Sequence, residues 1–338
     1  LVFNRKAAAL VSGGLDSILA AKLMLAQGIE VVGLHFIHPL CSIPPKPGRK
    51  EHDISSFCHG VGFEILPVDM GVEFQDVVRK PRFGRGTGMN PCIDCHAFML
   101  KKAALMLDEL GASFLVTGEV LGQRPMSQHR QALDLIERDT GLKGRLLRPL
   151  SALLMEPTEP ETAGMVDRLK LLDISGRGRD RQIALAASFG ITGYPAPAGG
   201  CLLTDRNFAD RLKDAYARVP GALEAREIEL LKLGRHYRLP SGAKAVIGRD
   251  AFENERIFEF APPDCSRLSP VDFPGPSAVV CGGTADDANL VATAIIGLSS
   301  KAPEGARVLV EAGGEQYEIL PATGFNIESF RKFSVGAR

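Results

Sequence analysis

The chain has 338 residues, 45% of them hydrophobic, and its 40 Lys and Arg balance 40 Asp and Glu, so it carries no formal net charge. That length supports two domains, and that balance excludes a disordered polyelectrolyte and a protein held to nucleic acid by its overall field; an RNA surface has to be a local patch. No apolar run reaches membrane-spanning length and the first residues lack the layout of a signal peptide, so the expectation is a cytoplasmic protein with no membrane partner.

The first predicted element is an apolar strand, Ala7 to Val11, which runs into Ser12-Gly13-Gly14-Leu15-Asp16-Ser17 and then a helical segment, Ile18 to Gln27. A strand ending in Ser-Gly-Gly points several backbone N–H groups into one concavity, and the following helix adds its positive N-terminus, so the turn suits a phosphate. Gly13 and Gly14 let the backbone approach closely, and the Ser12 and Ser17 hydroxyls add donors. Asp16 would repel a phosphate unless a magnesium ion lay between them, which points to a metal-bound nucleotide. The run lacks the Gly-Lys-Ser/Thr ending of a Walker A loop, and the plain alternative is a glycine turn joining strand to helix.

Ile29 to Phe36 reads as a second buried strand, which makes a βαβ unit and places His35 and Phe36 at a strand end, where an adenosine would sit. Pro39 to Lys50 reads as a loop, Glu51 to Val61 as a helix and Glu64 to Val68 as a strand. Val77 to Met89 is a basic, glycine-rich loop in which Arg82 and Arg85 would meet a polyanion. Asn90-Pro91-Cys92-Ile93-Asp94-Cys95-His96 precedes a helical run to Leu110, so Cys92 and Cys95 share one face near a helix N-terminus, a setting that favours thiolates or metal ligands. Phe114 to Thr117 is a further strand, followed by Gly118-Glu119-Val120-Leu121-Gly122-Gln123-Arg124 and Ser127-Gln128. Leu146-Leu147 is a short strand, Ser175-Gly176-Arg177-Gly178-Arg179 a turn able to reach phosphates, and Arg181 to Phe189 a helix. The Pro/Gly-rich stretch Tyr194 to Gly200 then presents Cys201.

Seven cysteines are too few and too unevenly spaced for a secreted disulfide framework, so they should be reduced thiols or ligands. Cys92, Cys95 and Cys201 admit an iron–sulfur cluster, a zinc site completed by His96 or His35, a dithiol that carries and resolves a persulfide, or no shared role. Spacing alone leaves all four open. Cys265 and Cys281 read as structural.

The SGGLDS turn, in its strand-to-helix context, resembles the signature of the PP-loop ATP pyrophosphatase superfamily. That resemblance implies a doubly wound parallel α/β sheet, ATP, and adenylation of a substrate. Thr117-Gly118-Glu119-Val120-Leu121-Gly122-Gln123 with Ser127-Gln128 resembles a segment of the 4-thiouridine synthetases of the ThiI family. Asn90-Pro91 with Cys95 resembles an element of the 2-thiouridylases of the MnmA family. A CxxC with one distant cysteine is similar to the TtcA and TtuA thiolases, in which three cysteines hold a four-iron, four-sulfur cluster. The resemblance covers about Ala7 to Asp214, and nothing before the turn resembles the RNA-binding THUMP region of the 4-thiouridine synthetases.

From about Pro220 the pattern changes. A helix, Glu224 to Leu233, precedes strands at Tyr237 to Leu239, Ala245 to Ile247 and Ser277 to Cys281, then a helix, Ala285 to Ile296, and strands at Val308 to Val310 and Gln316 to Leu320. Val246-Ile247-Gly248-Arg249-Asp250, Asn254-Glu255-Arg256 and Asp272-Phe273-Pro274-Gly275-Pro276 resemble an NFACT-R type RNA-binding module. On that reading Arg235, Arg238, Lys244 and Arg249 contact phosphates.

Together these imply a PP-loop catalytic domain over residues 1–218 and a smaller α+β domain over 219–338. The implied activity is ATP-dependent thiolation of a tRNA uridine, with 4-thiouridine favoured. ATP and Mg2+ would bind at Ser12, Gly13, Gly14, Asp16 and Ser17, with His35, Phe36, Thr117 and Gly118 beside them. Glu119, Gln123, Arg124 and Gln128 would face the substrate, and Cys92, Cys95 and Cys201 would hold a 4Fe-4S cluster, zinc, or no metal. The implied partners are tRNA and a sulfur donor, sulfide or a cysteine desulfurase, with a homodimer left open. The alternatives are persulfide-based thiolation and a PP-loop enzyme that sulfurates or amidates a small molecule.

Overall fold

A computed structural model describes residues 5–41, 53–194, 201–321 and 327–336. Most of the Pro39 to Lys50 loop, the start of the helix expected from Glu51, and the 195–200 approach to Cys201 lie outside the described residues. The chain divides into two units, Leu1–Gly86 with Asn90–Cys201 and Thr87–Met89 with Leu202–Arg338.

In the first unit the elements follow in the order β1 (Lys6–Leu10), α1 (Leu15–Leu25), β2 (Glu30–Ile37), α2 (Ile54–Val61), β3 (Glu64–Asp69) and α3 (Phe74–Arg79). Then come α4 (Cys92–Leu105), α5 (Leu107–Leu110), β4 (Phe114–Thr117), α6 (Arg130–Thr140), β5 (Leu146–Leu147), α7 (Glu159–Thr162) and α8 (Asp180–Ser188). The five strands pair in parallel in the order β3-β2-β1-β4-β5. The order reverses between β1 and β4, which makes a switch point where their carboxyl ends open a crevice.

β1 lies at the centre of the sheet, and Ala7, Ala8 and Ala9 are at most 1% exposed, as a strand covered on both faces requires. Helix α1 is apolar nearly all round, with Ile18, Leu19 and Met24 fully buried, and each such side chain contributes roughly 1.5–3 kcal/mol relative to exposure. Its burial explains why its sequence has no polar face. Helix α2 starts where Asp53 accepts the Ser56 N–H at 3.1 Å, an N-cap that fixes the boundary. Helix α6 was not expected; its apolar stripe of Ala132, Leu133 and Ile136 is buried.

In the second unit the elements are α9 (Arg206–Tyr216), α10 (Ala225–Lys232), β6 (Arg235–Arg238), β7 (Lys244–Ile247), α11 (Ala251–Phe260), β8 (Ser266–Val271), β9 (Ala278–Cys281), α12 (Ala285–Leu298), β10 (Arg307–Ala312), β11 (Glu315–Ile319) and α13 (Ile327–Arg331). Its sheet is antiparallel, in the order β11-β10-β8-β9-β7-β6. α11 and β8 were not among the expected elements. Helix α9, whose residues fall within the domain expected over 1–218, groups with this unit. Its Arg211 donates to the carbonyls of Leu231 and Gly234 at 3.0 Å each and so closes the end of α10; burial pushes its pKa down to about 10. Cys265 and Cys281 face each other at the ends of β8 and β9 and form a disulfide, which corrects the expectation that every cysteine is a reduced thiol or a ligand. Adjacent antiparallel strands bring the two residues opposite one another, a pairing that linear spacing does not reveal. Among the described residues no helix is long and apolar enough to cross a membrane.

Candidate active site at the carboxyl edge of the parallel sheet

The turn after β1 is built by packing as much as by its own sequence. Gly13 has φ +79°, and a Cβ there would lie 2.9 Å from Ile54 Cδ1, so only glycine fits. Ser17 Oγ donates to the Gly14 carbonyl at 2.8 Å, and Ser12 Oγ accepts the Gly14 N–H at 3.4 Å. His35 lies at the end of β2 with Nδ1 2.8 Å from the Val11 carbonyl, so it braces the strand end below the turn. Phe36 packs against the apolar core of the sheet.

The segment leaving β4 joins two polar groups. A Cβ on Gly118 would lie 2.4 Å from Ser17 N and 2.5 Å from the Asp16 carbonyl carbon, so this backbone presses directly on the turn. Gln123 Nε2 donates to Asp16 Oδ2 at 2.6 Å. The other Asp16 oxygen, Oδ1, is buried without a hydrogen-bond partner. A buried carboxylate oxygen left in this way is costly unless a cation or ligand donor meets it. Asp16 therefore fits the hard-oxygen chemistry of magnesium.

One residue after Gly118, Glu119 turns to the other group. It is 4% exposed, with Oε1 2.8 Å from His96 Nδ1 and Oε2 accepting from Arg148 Nε at 2.9 Å and from Thr117 Oγ1 at 3.1 Å. Both oxygens thus have protein partners. Arg148 is 2% exposed and reaches Glu137 as well. Burial pushes the Glu119 carboxyl up, but the Arg148 charge and then His96 outweigh it and hold it well below the usual carboxylate range. Thr117 spends its hydroxyl on Glu119. The sequence reading gave no role to Arg148, whose signal was a lone arginine directly after the apolar pair of β5.

Helix α4 begins at Cys92. Burial pushes the Cys92 thiol up, yet His96, one turn along the same helix, more than offsets this and the net shift is downward. Burial would lower the His96 ring, whereas the Cys92 sulfur and Glu119 raise it above its ordinary value. Cys95 is shifted well upward, first by burial and then by the neighbouring thiols of Cys41, Cys201 and Cys92. Cys95 thus feels the other two cysteines singled out in the sequence and also Cys41, which has no motif around it. This soft donor set suits a soft metal or cluster in kind; among the described residues no three His, Cys, Asp or Glu side chains are arranged to hold a metal ion.

Other expected substrate residues divide. Arg124 is exposed and adds positive charge near Cys92. Gln128 is 5% exposed, with its Oε1 buried and unpartnered. Arg82 is tied to Asp139 at 2.5 Å, Arg85 donates to the Val78 carbonyl at 3.0 Å, and Asp94 accepts the Arg82 and Phe83 N–H groups at 3.0 Å each, fixing that loop to α4. A cavity of about 590 Å3 beside α6 has Arg148, Glu137 and Glu161 in its wall but neither the turn after β1 nor the thiols.

Residues 3–157 match the family described as Thiamine biosynthesis protein (ThiI). Residues 234–333 match the NFACT protein RNA binding domain. The tRNA-specific 2-thiouridylase MnmA of Nitratidesulfovibrio vulgaris (strain DSM 19637 / Miyazaki F) is 36% identical over 126 residues, 35% of this chain and 35% of its own length. A probable tRNA sulfurtransferase of Lysinibacillus sphaericus (strain C3-41) is 29% identical over 150 residues, 44% of this chain and 35% of its own. The chain thus spans about a third of the length of these relatives. A solved 4-thiouridine synthetase–RNA complex with bound ATP overlaps 55% of this chain and 51% of its own at 19% identity and a TM-score of 0.33, too loose a superposition to bear on the reading.

In the second unit the residues expected to touch RNA have neighbours of their own. Arg238 pairs with Asp214 and donates to the Gly242 carbonyl at 2.8 Å. Arg249 is clamped on Glu253. Burial pushes Lys244 down to about 8. Arg235 is exposed, with one donor on the Gly248 carbonyl at 3.2 Å.

Proposed function

We propose that this chain is an ATP-dependent tRNA sulfurtransferase that converts a uridine to a thiouridine, 4-thiouridine in the first instance. One observation carries the reading: the short run Gly118–Gln123 presses on the PP-loop through Gly118 and Gln123 and holds the thiol-bearing helix through Glu119 and His96. Nucleotide and sulfur chemistry therefore belong to one sheet edge.

In this mechanism the PP-loop N–H groups and Ser12 hold the phosphates, Ser17 braces the turn through the Gly14 carbonyl, and Asp16 would hold the magnesium that accompanies them. The uridine carbonyl oxygen attacks the α-phosphorus, the bond to the bridging oxygen breaks, and pyrophosphate leaves. A sulfur nucleophile then adds to the activated ring carbon and AMP departs. Arg124 and Gln128 would hold the base. An iron–sulfur cluster on Cys92, Cys95 and Cys201 would supply that sulfur as sulfide, without net oxidation of the protein. A second reading is favoured by His96 against Cys92: the paired thiolate carries a persulfide whose outer sulfur attacks the base, and a second thiol then displaces the thiocarbonyl sulfur, leaving a disulfide for a reductant to reopen.

The test is anaerobic purification with iron and sulfide analysis, followed by incubation with ATP, Mg2+, sulfide and unmodified tRNA and nucleoside analysis by mass spectrometry. Thiouridine with stoichiometric iron supports the cluster, and thiouridine without iron supports the persulfide. No tRNA-stimulated pyrophosphate release would sink the proposal, and full activity on a small molecule after removal of residues 220–338 would replace it with the small-molecule reading.

A further inference from the structure

The PP-loop site has a component outside the matched stretch of residues 3–157. Ile174 is buried, and its carbonyl accepts from Ser151 Oγ at 2.6 Å while the same Oγ accepts the Leu121 N–H at 3.0 Å. Immediately after it, Ser175 bridges Leu121 in parallel and the Gly176 N–H donates to the Leu121 carbonyl at 2.7 Å. The turn that follows is thus pinned to the segment leaving β4, and α8 packs against α1. The result brings Arg179 and Gln182 to Asp16.

Gln182 is fully buried; its Nε2 donates to Gln123 Oε1 at 3.0 Å, and Gln123 in turn donates to Asp16. Its Oε1 is buried without a partner, as is Asp16 Oδ1. Arg179 stands with a guanidinium nitrogen 3.6 Å from Asp16 Oδ2, longer than a hydrogen bond, and its side chain is 27% exposed. A pair serving stability alone would close that gap and satisfy both carboxylate oxygens, because unmet buried acceptors cost more than a loose surface pair returns. The same layout suits a guanidinium that shifts to a polyphosphate when the carboxylate takes a divalent cation.

We propose that the start of α8 completes the nucleotide site: Arg179 binds the polyphosphate of the nucleotide, and Gln182 is a positioning residue that holds Gln123, and through it Asp16, toward the metal. The inference rests on the functional reading above only in taking the bound molecule to be a nucleoside triphosphate. Arg179 discriminates by charge and not by base, so it acts on ATP and pyrophosphate and leaves AMP alone.

The experiment is calorimetric binding of ATP, pyrophosphate and AMP to the full chain in Mg2+, for wild type, Arg179→Ala, Arg179→Lys and Gln182→Met. Loss of one charge-assisted contact predicts that Arg179→Ala weakens ATP and pyrophosphate about tenfold or more, with AMP unchanged and Arg179→Lys in between. Gln182→Met should raise the Mg2+ needed for half-maximal ATP binding severalfold while metal-free ATP binding and the melting temperature stay put, a split that a packing defect does not give. Equal losses for ATP and AMP, or none, with wild type binding ATP, would overturn this inference alone. Wild type that binds no ATP would overturn the functional reading and the inference together.

Discussion

At the carboxyl edge of the parallel sheet, Asp16, Gln128 and Gln182 each keep a buried side-chain oxygen without a partner. In the antiparallel unit, Arg238 and Arg249 spend their donors on carboxylates and carbonyls of that same unit. The difference separates two meanings of a polar side chain. A buried acceptor with unmet capacity is paid for by a ligand or by nothing, whereas a cation already matched by its neighbours does structural duty before it meets any phosphate. The same contrast runs within the first unit. Glu119 belongs to the matched kind, and Asp16, on the same loop's other contact, to the unmet kind.

The largest effect that sharpens this comparison is expected from Arg148→Met. It leaves buried Glu119 with His96 and the Thr117 hydroxyl and half-buried Glu137 without its cation, and breaking a buried pair costs up to about 3–5 kcal/mol, readable as a drop in the urea midpoint of the first unit. Next, Gly118→Ala drives a methyl into the backbone of the PP-loop, 2.4 Å from Ser17 N. A loss of about 1–3 kcal/mol for overpacking should come with loss of ATP binding; retained binding would mean that the loop and the β4 segment move independently.

The acid limb of stability gives a third measure. Glu119 has a folded pKa held below its unfolded value of 4.5 by Arg148 and His96 against the pull of burial. Its contribution is therefore fully present above the unfolded value and is lost as the pH falls through the depressed folded value. Glu119→Gln should flatten the decline of stability below pH 4.5, checked by urea titrations at a series of pH values. The smallest effects belong to the second unit. Arg249→Ala, losing a partly exposed ion pair, should cost less than about 1 kcal/mol. Arg235→Ala should lower the slope of log affinity for tRNA against log salt by about 1, with stability unchanged; a larger slope change for Arg249 than for Arg235 would reverse the assignment of matched and available cations.

The PP-loop turn and its flanking elements were legible because they are local. β1, α1, β2 and β4 each carry an apolar run of fitting length, and the Ser-Gly-Gly turn has few backbone solutions. The cysteine pair at a helix start was legible for the same reason. Helix α6 passed unnoticed because its stripe is short and flanked by charges, and β8 because Ser266–Val271 lacks the dense β-branched run of a central strand. Glu119 was legible only as a polar residue at a strand end, and its hydrogen-bond partners, His96 and Arg148, lie 23 and 29 positions away. Cys41 and Gln182 had no local signal at all.

The order of residues by itself determined where the chain turns tightly, which stretches are apolar enough to form a covered parallel sheet, and where thiols meet a helix start, since each depends on neighbours a few positions apart. Which polar atoms are matched and which are left for a ligand was decided only when distant segments met. Hydrogen-bond capacity is satisfied in space, and the partners of Asp16, Glu119 and Cys95 come from strands, helices and turns that share no sequence neighbourhood.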